Sequence, residues 1–319
     1  MRAIPLLTLL LGGWFVVPAH ADEAQDWLTR LGQAEQQQSF RGTFVYERNG
    51  SFSTHNIWHR VKDGKVRERL LQLDGSAQEV VRIDGHTQCV SGILIAGLGD
   101  SPNSSARALD PQKLKNWYDL AVIGKSRVAG RAAVIVSLKP RDQHRYGFEL
   151  HLDQETGLPL KSLLLNDRGQ LLERFQFTQL DTSNVPSDSD LQPGADCKAV
   201  VLDSDKASAV KAAQAWHSDW LPPGFELTSS TSRKDPETKT QVNSLMYDDG
   251  LARFSVFLEP LNGATVTDTR TQLGPTVAVS RRLTTPQGEV MVTVVGEIPI
   301  GTAERIALSM RTDATATKQ

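Results

Sequence analysis

The stretch that decides the fold covers residues 40–85 and reads FRGTFVYERNGSFSTHNIWHRVKDGKVRERLLQLDGSAQEVVRIDG. Four turn dipeptides divide it into short segments: Asn49-Gly50, Asp63-Gly64, Asp74-Gly75 and Asp84-Gly85. Asx-Gly pairs suit tight hairpin turns because the central residues of such turns take positive φ angles. Between the turns, apolar and polar residues alternate as they do in half-buried strands. The pattern therefore predicts an antiparallel meander.

The first of these segments indicates which side of the sheet is buried. Phe40, Gly42, Phe44 and Tyr46 share one face, because successive side chains of a strand point to opposite sides. That face must be buried against another layer. Residues 22–38 have apolar positions at helical spacing and predict a short helix. We expect a curved sheet around a few helices, with an apolar concave side suited to apolar ligands.

The rest of the chain continues the β pattern and divides into two domains. The predicted domains are residues 22–182 and 211–319, separated by a linker at 183–210 that is rich in Asp, Ser and Pro. In the first domain a short helix is predicted at 110–118, and further strands at 131–138, 146–153, 158–165 and 171–180. In the second, strands are predicted at 226–232, 241–248, 252–259, 277–284 and 290–297, with Thr302 capping a closing helix at 303–310.

The first 21 residues have the layout of a secretory signal peptide. Arg2 is followed by an apolar run over residues 4–17 and by the small-x-small site Ala19-His20-Ala21. This predicts cleavage between Ala21 and Asp22 and export to the periplasm. The alternative is an uncleaved anchor helix, which is disfavoured because the apolar run is shorter than the ~20 residues that span a bilayer.

Only two cysteines are present, Cys89 and Cys197, and both follow the predicted cleavage site. In an oxidising compartment two such cysteines are expected to form a disulfide, provided that they meet in space. Two separate thiols and a redox switch remain as alternatives. No Cys-x-x-Cys spacing supports thioredoxin-like chemistry.

The balanced charge argues against nucleic-acid binding, and the sequence contains no complete catalytic or metal-binding motif. The chain has 35 Lys and Arg against 37 Asp and Glu, and residues 211–319 alone have 11 against 12. Neither domain has the basic surface that nucleic-acid binding requires. Gly124-Lys125-Ser126 lacks the first glycine of a phosphate loop, since position 119 is Asp. His55 and His59 have no evident third metal ligand. Missing motifs do not exclude an enzyme, because catalytic groups can converge from distant positions, but nothing in the sequence favours one. We predict no cofactor, no metal and no enzymatic activity.

Several segments in a fixed order run through nearly the whole chain after residue 22. They lie at residues 40–46, 68–70, 73–75, 79–82, 140–142, 145–147, 152–161, 220–225, 247–252 and 254–260. In order and spacing they resemble the RseB/MucB family of periplasmic regulators of envelope-stress sigma factors. The resemblance is strongest to members that regulate alginate production.

This resemblance implies a mostly β, α+β fold. The first domain would be a LolA/LolB-like open antiparallel half-barrel with helices on its concave side. The second would be a smaller β-rich domain with a C-terminal helix that takes part in partner binding. Such a protein binds the periplasmic domain of a MucA- or RseA-like anti-sigma factor and shields it from site-1 proteolysis. A lipid or lipoprotein-derived signal releases it, and it forms homo-oligomers. The alternative function is a lipoprotein or lipid carrier of the periplasm.

Two groups of aromatic residues are candidate binding sites. Phe40, Phe44, Tyr46 and Trp58 are candidates for lining an apolar cavity, with ordinary core residues as the alternative. A second group surrounds Leu221-Pro222-Pro223-Gly224 and is a candidate partner surface, because aromatic residues are enriched at interface hot spots. Its members are Trp216, Trp220 and Phe225. The alternative is that they belong to the core of the second domain.

Overall fold

The computed structural model describes residues 19–76, 78–91, 109–200, 216–234, 240–264, 266–286 and 288–312. Within these residues the chain forms two β units. The first is an 11-stranded sheet and the second a 6-stranded sheet with a separate 2-stranded ribbon. Every strand pair in them is antiparallel. The predicted mostly β fold, with a large open sheet and a smaller domain that ends in a helix, is confirmed.

The first sheet contains most of the predicted hairpins. Its strands are β1 (Phe40–Arg48), β2 (Ser51–Lys62), β3 (Lys65–Gln72), β4 (Glu79–Ile83), β5 (His86–Ser91), β6 (Tyr118–Val128), β7 (Arg131–Pro140), β8 (Gly147–Asp153), β9 (Pro159–Leu165), β10 (Leu171–Asp181) and β11 (Lys198–Ala199). Their order is β11-β5-β4-β3-β2-β1-β10-β9-β8-β7-β6. Two meanders therefore join where β10 returns to pair with β1.

Three of the predicted Asx-Gly dipeptides form two-residue turns. Asn49, Asp63 and Asp84 have φ angles of 51°, 53° and 50°, and the glycine after each is also at positive φ. Such turns match the twist of the strands that they connect. The Asp74-Gly75 pair instead lies in a longer connection between β3 and β4, and of the two residues only Gly75 has positive φ.

Strand β6 (Tyr118–Val128) is not predicted from the sequence, which predicts a helix at 110–118 and the next strand at 131. Helix α2 covers only Pro111–Leu114, capped by the Asp110 carboxylate, which accepts from the Gln112 and Lys113 N–H groups. β6 then begins at Tyr118. Its pairing with β7 shifts register between Val122 and Gly124. This bulge interrupts the alternation of side chains that would have indicated a strand.

Helix α1 (Ala19–Gln37) lies on the inner, concave face of the first sheet. Leu28 is fully buried in a cluster with Leu120 of β6, and the Glu35 carbonyl lies 2.9 Å from His59 Nε2 of β2. Seven residues of helix span roughly 10 Å. In a flat sheet β6 and β2, six strand spacings apart in the sheet order, would be separated by about 29 Å. The sheet must therefore curve around the helix.

Residues 183–200, which we call the strap, lie against the outer face of β2–β5. Asp188 Oδ1 lies 2.6 Å from Arg60 Nη2, and the Gly194 N–H donates to Glu79 Oε2 at 3.0 Å. The sequence predicts a linker at residues 183–210 because the segment is polar and contains prolines, and residues 201–210 of it lie outside the described residues. The structure instead makes the strap part of the first unit, because its acidic and main-chain groups satisfy charged side chains on that face.

The disulfide between Cys89 and Cys197 holds the end of the strap to β5. The two residues are 108 positions apart, and the chain beyond Cys197 adds β11 to the edge of the sheet. Leu191, within the strap, is completely buried. A covalent link across so long a loop stabilises the fold mainly by restricting the unfolded chain, by about 4–5 kcal/mol in the chain-entropy model.

The second unit surrounds a separate core. Its elements are β12 (Trp216–Ser218), β13 (Glu226–Lys234), β14 (Gln241–Asp248), β15 (Arg253–Pro260), β16 (Thr269–Leu273), β17 (Thr276–Thr285), β18 (Gly288–Gly296), helix α3 (Ile300–Ser309) and β19 (Met310–Thr312). The sheet order is β13-β14-β15-β18-β17-β16. Ala303, Ile306 and Ala307 of α3 pack against valines of β17 and β18. The predicted Thr302 cap is wrong: the helix begins earlier, with Pro299 at its N-cap.

The two units meet around the guanidinium group of Arg145. This group is completely buried and forms an ion pair with the equally buried Asp249 of the second unit. Its Nη2 also donates to the Pro223 carbonyl at 2.6 Å and to Asp142 Oδ2 at 2.9 Å. Tyr118 Oη donates to Asp249 Oδ2 at 3.2 Å. Burial raises the pKa of Asp249, although main-chain N–H donors and Arg145 oppose that shift.

Close packing surrounds this ion pair. Trp117 lies against Gly224, where an added Cβ would be 2.2 Å from the indole Cε2 atom. Gly224 also has a φ of 87°, so the position requires glycine on two grounds. On the same interface, Tyr146 Oη donates to the Ile298 carbonyl at 3.2 Å, and Leu251 packs against the core of the first unit.

We expect Arg145→Met to lower the free energy of unfolding by about 3–5 kcal/mol, because the Asp249 carboxylate would remain buried without its cation. Urea denaturation monitored by tryptophan fluorescence measures the effect. Arg141→Met is the matched control, because Arg141 pairs with Asp119 at 2.8 Å but is 52% exposed. Exposed pairs contribute about 1 kcal/mol or less. Equal losses in the two variants would contradict the assigned role of Arg145.

Candidate functional site

The inner face of the first sheet contains a cluster of four phenylalanines, here called the aromatic face. Phe177 contacts Phe40, Phe44 and Phe175 edge to face, with ring centroids 6.2, 5.9 and 5.0 Å apart. Phe177 fits there because β1 has Gly42 beneath it, and an added Cβ would lie 2.7 Å from the Phe177 Cε1 atom. Phe40, Phe44 and Phe177 are buried, so the centre of this face is packed core.

Two histidines of β2 extend the aromatic face. His59 stacks on Phe40 and His55 stacks on Phe44, with centroid distances of 4.8 and 5.0 Å. Burial lowers the pKa of His55, with Asp74 opposing the shift. Among the described residues, no group of three or more His, Cys, Asp or Glu side chains is placed to hold a metal ion. The stacking contacts place both histidines in the packing of the inner face.

The structure separates Trp58 from the other three candidate cavity residues. Phe40, Phe44 and Tyr46 lie on the inner face. The β2 residues paired with them have odd numbers, so odd-numbered residues of β2 share the inner face and even-numbered ones lie on the outer face. Trp58 is opposite Arg41 and so lies on the outer face, where the Arg69 guanidinium is 5.1 Å from its ring centroid. The four residues do not line one cavity.

The three aromatic residues of the second unit have unequal exposure. Phe225 is buried in the core, where its ring centroid is 5.1 Å from that of Phe254. Trp216 and Trp220 are partly buried against the same core. Trp220 contacts Arg305, whose guanidinium carbon is 3.8 Å from its ring centroid, and His144 of the first unit, whose ring centroid is 5.0 Å away. Of the three, only the two tryptophans keep surface for a partner.

A second interface contact, here called the acidic interface cluster, contains Arg48, Glu173 and Glu297. Arg48 Nε lies 3.8 Å from Glu173 Oε2, and Arg48 Nη2 lies 3.4 Å from Glu297 Oε1. Arg48 also donates to the Thr276 hydroxyl of the second unit. Loss of hydration raises the pKa of Glu297 to about 6, with Glu173 adding to the shift and Arg48 opposing it.

This cluster connects to the aromatic face through Tyr46. Burial raises the pKa of Tyr46, and the charge of Glu173 together with a hydrogen bond to Glu173 adds to that shift. Burial also raises the pKa of Glu173, although Tyr46 and Arg48 lower it in part. Tyr46, Glu173 and Arg48 thus form a continuous polar path from the inner face to the second unit.

A cavity of about 400 Å³, here called the interdomain cavity, opens beside the cluster. Hairpins of both units line it. The lining residues are Glu47, Asn49, Gly50, Leu171, Leu172, Gln272 and Gly274. Glu47 is already paired with Arg174, whose Nε lies 3.3 Å from Glu47 Oε2. The cavity thus presents amides and leucine side chains with little net charge.

Sequence reasoning missed both interface contacts. Arg145 and Asp249 lie within two of the segments that carry the family resemblance, 145–147 and 247–252. A charged residue inside a family segment that contains no catalytic pattern suggests a structural ion pair, and this could have identified Arg145 and Asp249. Arg48 gave no such signal, because it immediately precedes a predicted turn and resembles an ordinary exposed strand end.

No helix in the described part of the chain has the length and hydropathy to cross a bilayer. Helix α1 contains the predicted cleavage site between Ala21 and Asp22, so this position is helical in the uncleaved chain.

The architecture is that of a two-unit β protein whose units are held together by a buried ion pair. Two family models match it: the MucB/RseB N-terminal domain over residues 23–195 and the MucB/RseB C-terminal domain over residues 210–311. The chain belongs to the MucB/RseB family.

Characterised relatives match over most or all of their length. The chain is 62% identical over 320 residues to the sigma factor AlgU regulatory protein MucB of Pseudomonas aeruginosa, covering 100% of both chains. It is 30% identical to the sigma-E factor regulatory protein RseB of Escherichia coli, covering 89% of each. A chain in the solved structure of the P. aeruginosa MucA/MucB complex matches with a TM-score of 0.82 at 62% identity, over 92% of this chain and 100% of that one.

We expect the contribution of Glu297 to the free energy of unfolding to rise as the pH falls from about 6 to about 4.5. The folded-state pKa of about 6 lies above the ordinary value of 4.5, so the folded state binds a proton first. Glu297→Gln should remove this dependence and stabilise the protein at pH 7. Because the side chain is 43% exposed, the expected gain is about 1 kcal/mol or less.

Urea denaturation at pH 5 and pH 7 measures the effect. Glu289→Gln is the control, because Glu289 also lies in the second unit, is 44% exposed and is paired with Arg282. If Glu289→Gln changes the pH dependence as much as Glu297→Gln does, the acidic interface cluster is not its source.

Proposed function

We propose that this protein is a negative regulator of an alginate-controlling, envelope-stress sigma factor. It binds the periplasmic domain of a MucA-like anti-sigma factor and covers the site of the first, site-1 proteolytic cut. The observation that carries the proposal is the 62% identity to MucB over the whole length of both chains. At this level of identity the surface that binds a partner is expected to be retained along with the fold.

Solved complexes of a close relative support binding of that partner. A chain of the P. aeruginosa MucA/MucB complex matches with a TM-score of 0.82, and a chain from a crystal structure of MucB in complex with MucA(peri) matches with a TM-score of 0.79. A crystal structure of MucB matches with a TM-score of 0.69 at 59% identity.

The cellular setting is part of the same proposal. Cleavage between Ala21 and Asp22 would release a mature protein into the periplasm, where its disulfide between Cys89 and Cys197 would be stable. Within the mature protein, residues 211–319 form the partner-binding domain, and Trp216 and Trp220 contribute to the partner surface. Self-association to a homo-oligomer completes the proposal.

We expect the mature protein, residues 22–319, to slow cleavage of the P. aeruginosa MucA periplasmic domain by the site-1 protease at least tenfold at saturation, because the covered site is inaccessible. Gel-based cleavage kinetics with purified components measure this. A substrate of the same protease that does not bind the protein is the control, and its cleavage should be unchanged. Unchanged cleavage of the MucA domain at saturating protein would refute the proposal.

Release by a lipid or lipoprotein-derived ligand is the second step that we propose. Beside the buried phenylalanines, the inner face has apolar side chains that are only partly buried, among them Tyr46, Ile57, Leu70 and Phe175. An acyl chain would bury this remaining apolar surface. A ligand that prefers the partner-free protein must weaken partner binding by the same factor.

We expect a single-chain phospholipid, below its micelle concentration, to weaken binding of the MucA periplasmic domain at least tenfold. Fluorescence anisotropy of the labelled domain measures the change. Glycerophosphocholine, which has the headgroup without the acyl chain, should have no effect. Equal effects of the two compounds, or none from the phospholipid, would contradict release through the apolar inner face.

A further inference from the structure

Strand β16 is an edge strand whose outer side is open. It pairs with β17 from Thr269↔Ser280 to Leu273↔Thr276 and is the last strand of its sheet. In the described part of the chain no strand pairs with its other side, and all of its residues are exposed. An unpaired edge presents main-chain N–H and C=O groups to any extended chain that can reach them.

The register indicates which of these groups point outward. The two-residue turn Gly274-Pro275 connects β16 to β17, so the closing pair Leu273↔Thr276 is expected to be hydrogen-bonded. Hydrogen-bonded and non-hydrogen-bonded pairs alternate along an antiparallel ladder. The main-chain groups of Arg270 and Gln272 therefore face the open side.

The open edge leads into the interdomain cavity. Gln272 lies both on β16 and in the cavity wall. The turn that follows contacts the first unit, since an added Cβ on Gly274 would lie 3.0 Å from Arg48 Cγ and 3.7 Å from Asn49 N. On the far side, Leu171 and Leu172 of β10 form part of the wall. The edge and the cavity together make one groove between the two units.

Exposed apolar side chains surround this groove. Leu273 is 59% exposed and Leu171 is 37% exposed. Phe52, which is 64% exposed, is the cross-strand neighbour of the cavity residue Glu47. A single exposed apolar residue is ordinary, but several around one cavity mark a binding surface.

We propose that an extended segment of the protein partner adds as a strand to the open side of β16 and places an uncharged side chain in the interdomain cavity. This inference rests on the proposed function and specifies where the partner binds. Main-chain hydrogen bonds would supply affinity, and the cavity would supply specificity. An uncharged side chain fits because Glu47, the one charged residue among the described residues of the wall, is already paired with Arg174.

A single strand suits the groove better than a second copy of this chain. One added strand needs about 4.8 Å of space beside β16. A second copy would bring a whole sheet to the same edge, where the β1–β2 turn and the start of β10 already form the opposite wall.

The test compares Gln272→Pro with Gln272→Ala in binding to the P. aeruginosa MucA periplasmic domain. Proline removes the outward N–H, whereas alanine keeps it and removes the same side chain. We expect Gln272→Pro to weaken binding at least tenfold and Gln272→Ala to weaken it less than threefold, measured by isothermal titration calorimetry. In the wild type, hydrogen exchange at the Arg270 and Gln272 amides should slow at least tenfold when the MucA domain binds.

A second variant keeps the test decisive if Gln272→Pro does not fold. Leu171→Asp places an unpaired charge in the groove wall and should also weaken binding at least tenfold. Leu308→Asp is its control, because Leu308 is 62% exposed on α3.

Unchanged binding by Gln272→Pro and Leu171→Asp, while the wild type binds, overturns this inference alone. Failure of the wild type to bind overturns the proposed function and this inference with it. A change in oligomeric state without a change in MucA binding assigns the edge to self-association and also overturns it.

Discussion

The Arg145 guanidinium is the group on which the relation between the two units depends. Its planar set of donors bonds Asp142, Asp249 and the Pro223 carbonyl, and its carbon lies 5.1 Å from the Phe225 ring centroid. A lysine could not make this set of contacts, because its ammonium group lacks the fixed, planar arrangement of donors. A buried ion pair adds little net stability compared with apolar packing, but breaking it is costly. The contacts of Arg145 fix the relative position of the two units, since few arrangements of the units satisfy all of its donors.

A second constraint acts on the chain before it reaches the second unit. The strap follows the outer face of the first sheet and is fixed by the disulfide to β5. The chain therefore leaves the first unit at one defined edge, next to β11. The outer face of β2–β5 is covered by the chain itself, so this part of the first sheet is not left for a partner.

How much could be predicted from sequence depended on how local the determining signal was. The hairpin turns after β1 and β2 were predicted correctly because the Asx-Gly pairs encode positive φ within two residues. Strands β6 and β16 were missed, since a bulge interrupts the first and the second is a short polar segment. The Arg145–Asp249 pair joins residues 104 positions apart, and no local pattern indicates such a contact.

The candidate site shows the same limit. Alternation along β1 placed Phe40, Phe44 and Tyr46 on one face, but Trp58 belongs to β2, and its face depends on the register between the strands. A shift of one residue moves every side chain to the other face. The Thr302 cap failed for a related reason: its hydroxyl lies 3.1 Å from His144 Nδ1 of the first unit, and the helix already begins at Ile300, with Pro299 as its N-cap. Local propensity does not anticipate a contact made across two units.

The two proposed binding surfaces are linked by a short physical path. Tyr46 borders the aromatic face and interacts electrostatically with Glu173, which lies beside Arg48, and Arg48 lies against the turn at Gly274 that follows β16. A ligand that repositions Tyr46 therefore acts on the carboxylate of Glu173, which is two contacts from the turn beside the groove. Buried charges tolerate displacement poorly because their compensation depends on close distances. Coupling along this path requires that the acyl chain and the partner strand favour different positions of Arg48, since a ligand that favours neither state shifts no equilibrium. The acidic interface cluster is suited to that role, because Arg48 lies between two carboxylates whose pKa values are both raised, and a small movement changes which of them it compensates.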